Sequence, residues 1–247
     1  MPAMGDRRWV WFIAGLVIVL TSPAMAQDVS ITMDGDGSLA TRSVQLLVLI
    51  TLLSIVPGLA IMITCFPFMV TVLSILRQGI GLQQSPPNML IVSLALFLTY
   101  FVMEPVFIAA WENGVDPLLN SVLTLDQAFV EVMEPFRVFM SGRTAPDTFE
   151  ELAVLRPEVT LGQSIEDAPL SLLIPTFLLS EIERAFQIGF LVFLPFLIID
   201  LVVAAILMSM GMMMVPPAIV SLPFKLAFFV VADGWSLIAG SLVRSYF

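Results

Sequence analysis

Residues 189–223 read GFLVFLPFLIIDLVVAAILMSMGMMMVPPAIVSLP, and Asp200 is the only charged side chain among them. About 20 apolar residues at a rise of roughly 1.5 Å each cross the hydrocarbon layer of a bilayer, so this stretch is long enough to span one. Asp200 is then its costly position. A carboxylate left unpaired in lipid costs about 3 kcal/mol or more, so it must face protein or water, and the span becomes one wall of an assembly. Near the end of the run, Met208, Met210, Met212, Met213 and Met214 surround Gly211 and precede Pro216 and Pro217. Methionine is unbranched and polarizable, so several copies fill an irregular gap, while the glycine and prolines bend or end a helix. A bend lined with soft side chains is the first functional clue.

Composition carries the same constraint to the whole chain. Of 247 residues, 59% are hydrophobic and 12% charged, with mean hydropathy +1.01; soluble proteins carry about 25% charged residues. The chain reads as an integral, all-α membrane protein. Its 20 acidic residues against 10 basic ones lack the basic footprint that nucleic acid requires. There is no histidine and one cysteine, Cys65. That removes the commonest metal ligand and the usual general base, and excludes an internal disulfide. No catalytic residue, metal or cofactor is expected, and the chain is read as not being an enzyme.

Residues 1–26 have the three parts of a cleavable secretory signal: Arg7 and Arg8, an apolar stretch at 9–20, and Ala24-Met25-Ala26 after Pro23. Residues 27–43 form a polar leader. A first helical hairpin is expected over 44–110. Its first span, 44–76, contains Pro57 and Pro67 and should be broken or strongly bent. Arg77 closes it, a polar connection leads through Pro86-Pro87-Asn88, and a second span covers 89–110 with Glu104 beside Pro105. Glu104 reads as the end of a span meeting a neighbour or water.

Residues 111–185 change character, with 13 acidic side chains and four basic ones. They read as a water-exposed, helical, extracytoplasmic domain. Leu125, Phe129, Val132, Met133, Phe136 and Phe139 recur at helical spacing, with Thr124 and Gln127 placed for a capping box and Pro135 expected to bend or interrupt the helix. A second short helix is expected over 147–155. The acidic pairs Glu150 with Glu151, and Glu181 with Glu183, read as solvated surface, since neighbours one or two apart do not share a helix face.

The second hairpin occupies 186–247: the methionine-bearing span, then a fourth at 224–243 with Asp233-Gly234 in its middle. Arg77 and Lys225 are the basic residues near the two short connections, which places both connections in the cytoplasm and the acidic domain outside. Asp200, Lys225 and Asp233 read as ion pairs or hydrogen bonds between helices or subunits. Lys225 can also snorkel to the interface.

Longer motifs make the pattern specific. Ser180-Glu181-Ile182-Glu183-Arg184-Ala185-Phe186-Gln187-Ile188-Gly189-Phe190, then Leu194-Pro195-Phe196-Leu197-Ile198-Ile199-Asp200, Gly211-Met212-Met213-Met214-Val215-Pro216-Pro217 and Leu222-Pro223-Phe224-Lys225-Leu226 closely resemble the flagellar biosynthetic protein FliP family. Ile75-Leu76-Arg77-Gln78, Pro86-Pro87-Asn88 and Asp233-Gly234-Trp235 agree with it. Two stretches depart: Cys65-Phe66-Pro67-Phe68 stands where the family usually has a basic residue after a threonine, and Pro175-Thr176 replaces Pro-Ala.

The resemblance implies a core subunit of the type III export gate at the flagellar basal body in the bacterial inner membrane. Such subunits assemble as five copies with FliQ-like and FliR-like chains. In company with FlhB-like and FlhA-like proteins, the assembly passes unfolded flagellar proteins through a closed helical cone. In that family a methionine loop forms a gasket, a role that falls here on Met212, Met213 and Met214, with Met208 and Met210 beside them. The family's hairpins are bent and sit largely above the membrane plane. Competing readings are a virulence-type export subunit, against which the cleavable signal weighs, and a stand-alone proton-coupled transporter using Asp200, Glu104 or Asp233.

Overall fold

A computed structural model of the chain describes residues 39–81, 86–156, 164–212 and 214–247. The expected signal at 1–26, most of the leader at 27–43, and Met213 lie outside the described residues. What is described is helical, with no strand: α1 Leu39–Met62, α2 Phe66–Ile80, α3 Asn88–Ala110, α4 Asp116–Leu119, α5 Leu125–Arg143, α6 Pro146–Val154, α7 Leu170–Ser209, α8 Pro217–Val231 and α9 Gly234–Arg244. Among the described residues three stretches are long and apolar enough to cross a membrane, Ser43–Met62, Asn88–Leu119 and Leu170–Ser209, and α8 with α9 meet at 61° as a bent pair. The chain divides into two units, residues 1–48 and 49–247. Of the first, only the start of α1 is described; in the second, Leu53, Ile55, Val56 and Leu59 of α1 are all exposed.

The first apolar stretch is broken as expected, but between Met62 and Phe66 rather than at a proline. Pro57 lies inside α1, and Pro67 sits in the first turn of α2, where its missing N–H costs no hydrogen bond. Thr64 organises the break: its hydroxyl donates to the Ile61 carbonyl at 2.9 Å and accepts the Phe66 N–H at 3.4 Å. At the other end of α2, Gly81 takes a left-handed φ of 85° and its N–H closes on the Gln78 carbonyl at 3.1 Å.

α2 lies against the middle of α7. Gly189 of α7 makes the approach possible, because a Cβ there would stand 2.4 Å from Ile75 Cδ1, and Gly79 of α2 faces Phe196 in the same way. Around this seam Phe68, Met69, Val72, Leu73 and Leu76 of α2 and Leu173, Phe177, Ala185 and Phe196 of α7 form the centre of the core.

α3 runs through a π turn, Trp111–Val115, into α4. Gly114 in that turn touches α5 so closely that a Cβ would lie 2.8 Å from the Val132 backbone nitrogen. α5 begins at the expected capping box, with Thr124 and Gln127 bonding reciprocally. Pro135 does not interrupt it, and the helix continues to Arg143. Only part of its apolar stripe is inside: Phe136 and Met140 are buried, whereas Leu125 and Phe129 are exposed. α6 is the expected short helix, burying Phe149 and Ala153 against Ala168 and Leu172.

The fourth apolar stretch is not one helix. It breaks between α8 and α9, where Asp233 adopts a left-handed φ of 48° and Gly234 lies under the Phe229 ring, which a Cβ would meet at 2.2 Å. Aspartate tolerates that backbone region better than most residues, and only glycine leaves room for the ring.

Candidate functional site

Two polar clasps between helices and one exposed methionine turn stand out among the described residues. In the first clasp, Lys225 Nζ of α8 stands 2.6 Å from Asp200 Oδ2 of α7 and donates to the Gly79 carbonyl of α2 at 3.1 Å. Ser221, one turn before Lys225 on the same face of α8, donates to Asp200 Oδ1 at 2.5 Å. Lys225 and Ser221 are buried, while about a third of the Asp200 side chain (34%) is exposed. The costly carboxylate is thus neutralised inside the chain, and Lys225 does not snorkel. Its ammonium also suits the last turn of α2, where unpaired carbonyls and the helix dipole favour a cation. Arg77 makes a separate link across the α2–α3 connection, donating to Asn88 Oδ1.

The second clasp overturns one sequence expectation. Glu181 is not solvated surface; it is fully buried. Arg143 Nε, at the end of α5, donates to Glu181 Oε1 at 3.0 Å, Arg184 Nη1 lies 3.9 Å away, and the Tyr246 hydroxyl donates to Oε2. Arg143 Nη1 also donates to the Ser245 carbonyl at 2.9 Å. Next to Glu181, Ser180 Oγ accepts the Ala145 N–H at 2.9 Å and donates to the Thr176 carbonyl at 2.8 Å. A buried carboxylate persists only when paired and hydrogen-bonded, and here Arg143 and the Tyr246 hydroxyl donate to it while the Arg184 charge lies nearby. Burial pushes the Tyr246 phenol up, and the Glu181 charge pushes the same way, so it stays a donor. Arg143 and Tyr246 lie 38 and 65 residues from Glu181. No local spacing in the sequence signals that meeting.

The remaining motif residues are dispersed. Phe186, Gln187 and Phe190 are exposed on α7, Gln187 Nε2 donating to Glu183 Oε1 at 3.0 Å, whereas Gly189 faces α2. Glu104 is exposed on α3, and Asp233 is exposed at the α8–α9 break.

The methionine segment is a turn. α7 ends at Ser209, Gly211 takes a left-handed φ of 74°, and the Met212 N–H returns to the Leu207 carbonyl at 2.9 Å. Met208, Met210 and Met212 are exposed, and Met214 is 98% exposed. Beside the turn an apolar groove of about 490 Å³ runs between α7 and α8, lined by Val202, Ile206, Met210, Val220 and Phe224 among others.

These features define a class first: a chain whose described residues are helical, with helices long and apolar enough to cross a membrane, internal ion pairs between them, and many apolar side chains left exposed. The family follows from comparison with known proteins. The sequence pattern of the FliP family matches residues 49–242. A flagellar biosynthetic protein FliP of Agrobacterium fabrum is 45% identical over 243 residues, covering 95% of this chain and 98% of the relative. One from Caulobacter vibrioides is 48% identical over 92% of this chain and 86% of its own length. Another from Bacillus subtilis is 43% identical over 90% of this chain and 100% of its own. The chain belongs to the FliP family.

Proposed function

We propose that the chain is a core subunit of the flagellar type III protein export gate, a structural pore component in the bacterial inner membrane that passes unfolded flagellar proteins. Family membership supports the flagellar role, since the relatives are flagellar biosynthetic proteins. The observation that carries the pore reading is the methionine turn: Met210, Met212 and Met214 are exposed on it, with Met208 exposed just before it at the end of the longest described helix. Exposed thioethers at a bend, repeated by several copies around an axis, make an apolar constriction that blocks ions by dewetting and yields to varied polypeptides.

In this reading Met212, Met213 and Met214 form the gasket, with Met208 and Met210 beside it. Five copies join FliQ-like and FliR-like chains, and FlhB-like and FlhA-like proteins work with them. Residues 1–26 are removed as a signal peptide, residues 44–110 and 186–247 are the two hairpins, and residues 111–185 form the acidic domain on the periplasmic side. The stand-alone transporter is disfavoured because Asp200 is taken up by Lys225 and Ser221. Native mass measurement of the complex purified from membranes tests the proposal. Several copies of this chain together with the two small partner types are expected. A monomer that transports substrate by itself, and loses transport as Asp200→Asn, would overturn it.

A further inference from the structure

The residues that follow α9 hold more of the structure than their length suggests. Tyr246 packs edge-on against Phe68 of α2, with ring centroids 5.5 Å apart, and parallel to Phe139 of α5 at 6.0 Å. The Arg143 guanidinium carbon lies 4.0 Å above the same ring. That one arginine therefore binds the Glu181 carboxylate, the Tyr246 ring and the Ser245 carbonyl at once. α9 packs on one face only: Gly234, Ile238 and Leu242 are buried, while Trp235 and Leu237 on the other side are exposed.

We infer that Tyr246 is a latch: its ring and hydroxyl close over the buried Glu181–Arg143 pair and fasten the far end of the α8–α9 hairpin to α5 and α7. Release of Tyr246 lets that end open and water reach the carboxylate. A second observation favours a state that can open. Arg143 Nη2 is buried with no hydrogen-bond partner among the described residues, so the closed arrangement carries an unsatisfied donor that opening would hydrate. The reading concerns one chain and stands whether or not the methionine turn is a gasket.

Amide hydrogen exchange on the full chain in its purified, detergent-solubilised complex tests it, with Tyr246→Ala and the milder Tyr246→Phe, which keeps the ring should the alanine variant not assemble. Loss of a hydrogen bond to a buried charge predicts faster exchange, on the order of tenfold, in Tyr246→Phe for peptides of α9 and of residues 143–145 together. The α2 and α7 segments around Gly79 and Gly189 should keep their protection. In a Glu181→Gln background, where the charged acceptor is gone, adding Tyr246→Phe should change exchange less than about twofold. Faster exchange confined to residues 245–247, an unchanged pattern, or a uniform loss of protection through the chain each overturns the latch.

Discussion

α7 is one continuous helix in two different settings. In its first half Leu172, Leu173, Thr176, Phe177, Ser180, Glu181 and Ala185 are buried, and even a carboxylate is sealed from water. In its second half Ile198, Leu201, Val202, Ile206 and Met208 face outward, and the helix runs out into the exposed methionine turn. Both halves are rich in apolar residues, although Glu181, Glu183 and Arg184 fall in the first and Asp200 alone in the second. The difference teaches that the chain packs the first half most completely on its own core, whereas along the second half Phe196, Val203 and Leu207 are buried and the outward face is left to whatever surrounds it, lipid or other chains.

If that division is right, substitutions in the first half should act on the stability of the chain, and those in the methionine turn on what it does. Glu181→Ala is the largest expected case, because it strands Arg143, whose side chain is only 15% exposed. A loss of about 3–5 kcal/mol is expected, read as a collapse of thermal stability in detergent. Gly189→Leu comes next, forcing a side chain where Ile75 already stands, with about 1–3 kcal/mol lost to overpacking and local shifts. Lys225→Met tests whether the second half is also tied by a polar clasp. Asp200 is partly exposed and can hydrate, so the loss should be smaller than for Glu181, roughly 1–2 kcal/mol, measured in the same melting experiment. Thr124→Ala removes an exposed cap and should cost about 1 kcal/mol, visible as faster amide exchange at the start of α5. If Lys225→Met proves costlier than Glu181→Ala, the division of α7 fails.

Much of the architecture was legible in the residues. Long apolar runs required helices, Thr124 and Gln127 marked a helix start, and the expense of Asp200 demanded a partner, which Lys225 supplies. Prolines marked the neighbourhood of the first break but not its place, because Pro67 is welcome in the first turn of a helix and Pro57 is carried within one. Asp233-Gly234 announced a turn that apolar flanks on both sides obscured. Glu181 was misplaced for a deeper reason. Burial of a charge depends on partners brought from far along the chain, and neither Arg143 nor Tyr246 is near it in sequence. The π turn had only Gly114 as a sign, and a lone glycine does not distinguish a wide turn from a loop.

The central claim is the role of the methionine turn, and ion flux across membranes holding the assembled complex tests it most directly. Met212→Ala, Met213→Ala and Met214→Ala combined should leave assembly intact and change melting by no more than about 0.5 kcal/mol, as expected for exposed positions. Resting ion conductance should rise clearly above that of the unaltered complex. Conductance that stays at the unaltered level in a fully assembled variant would contradict the account.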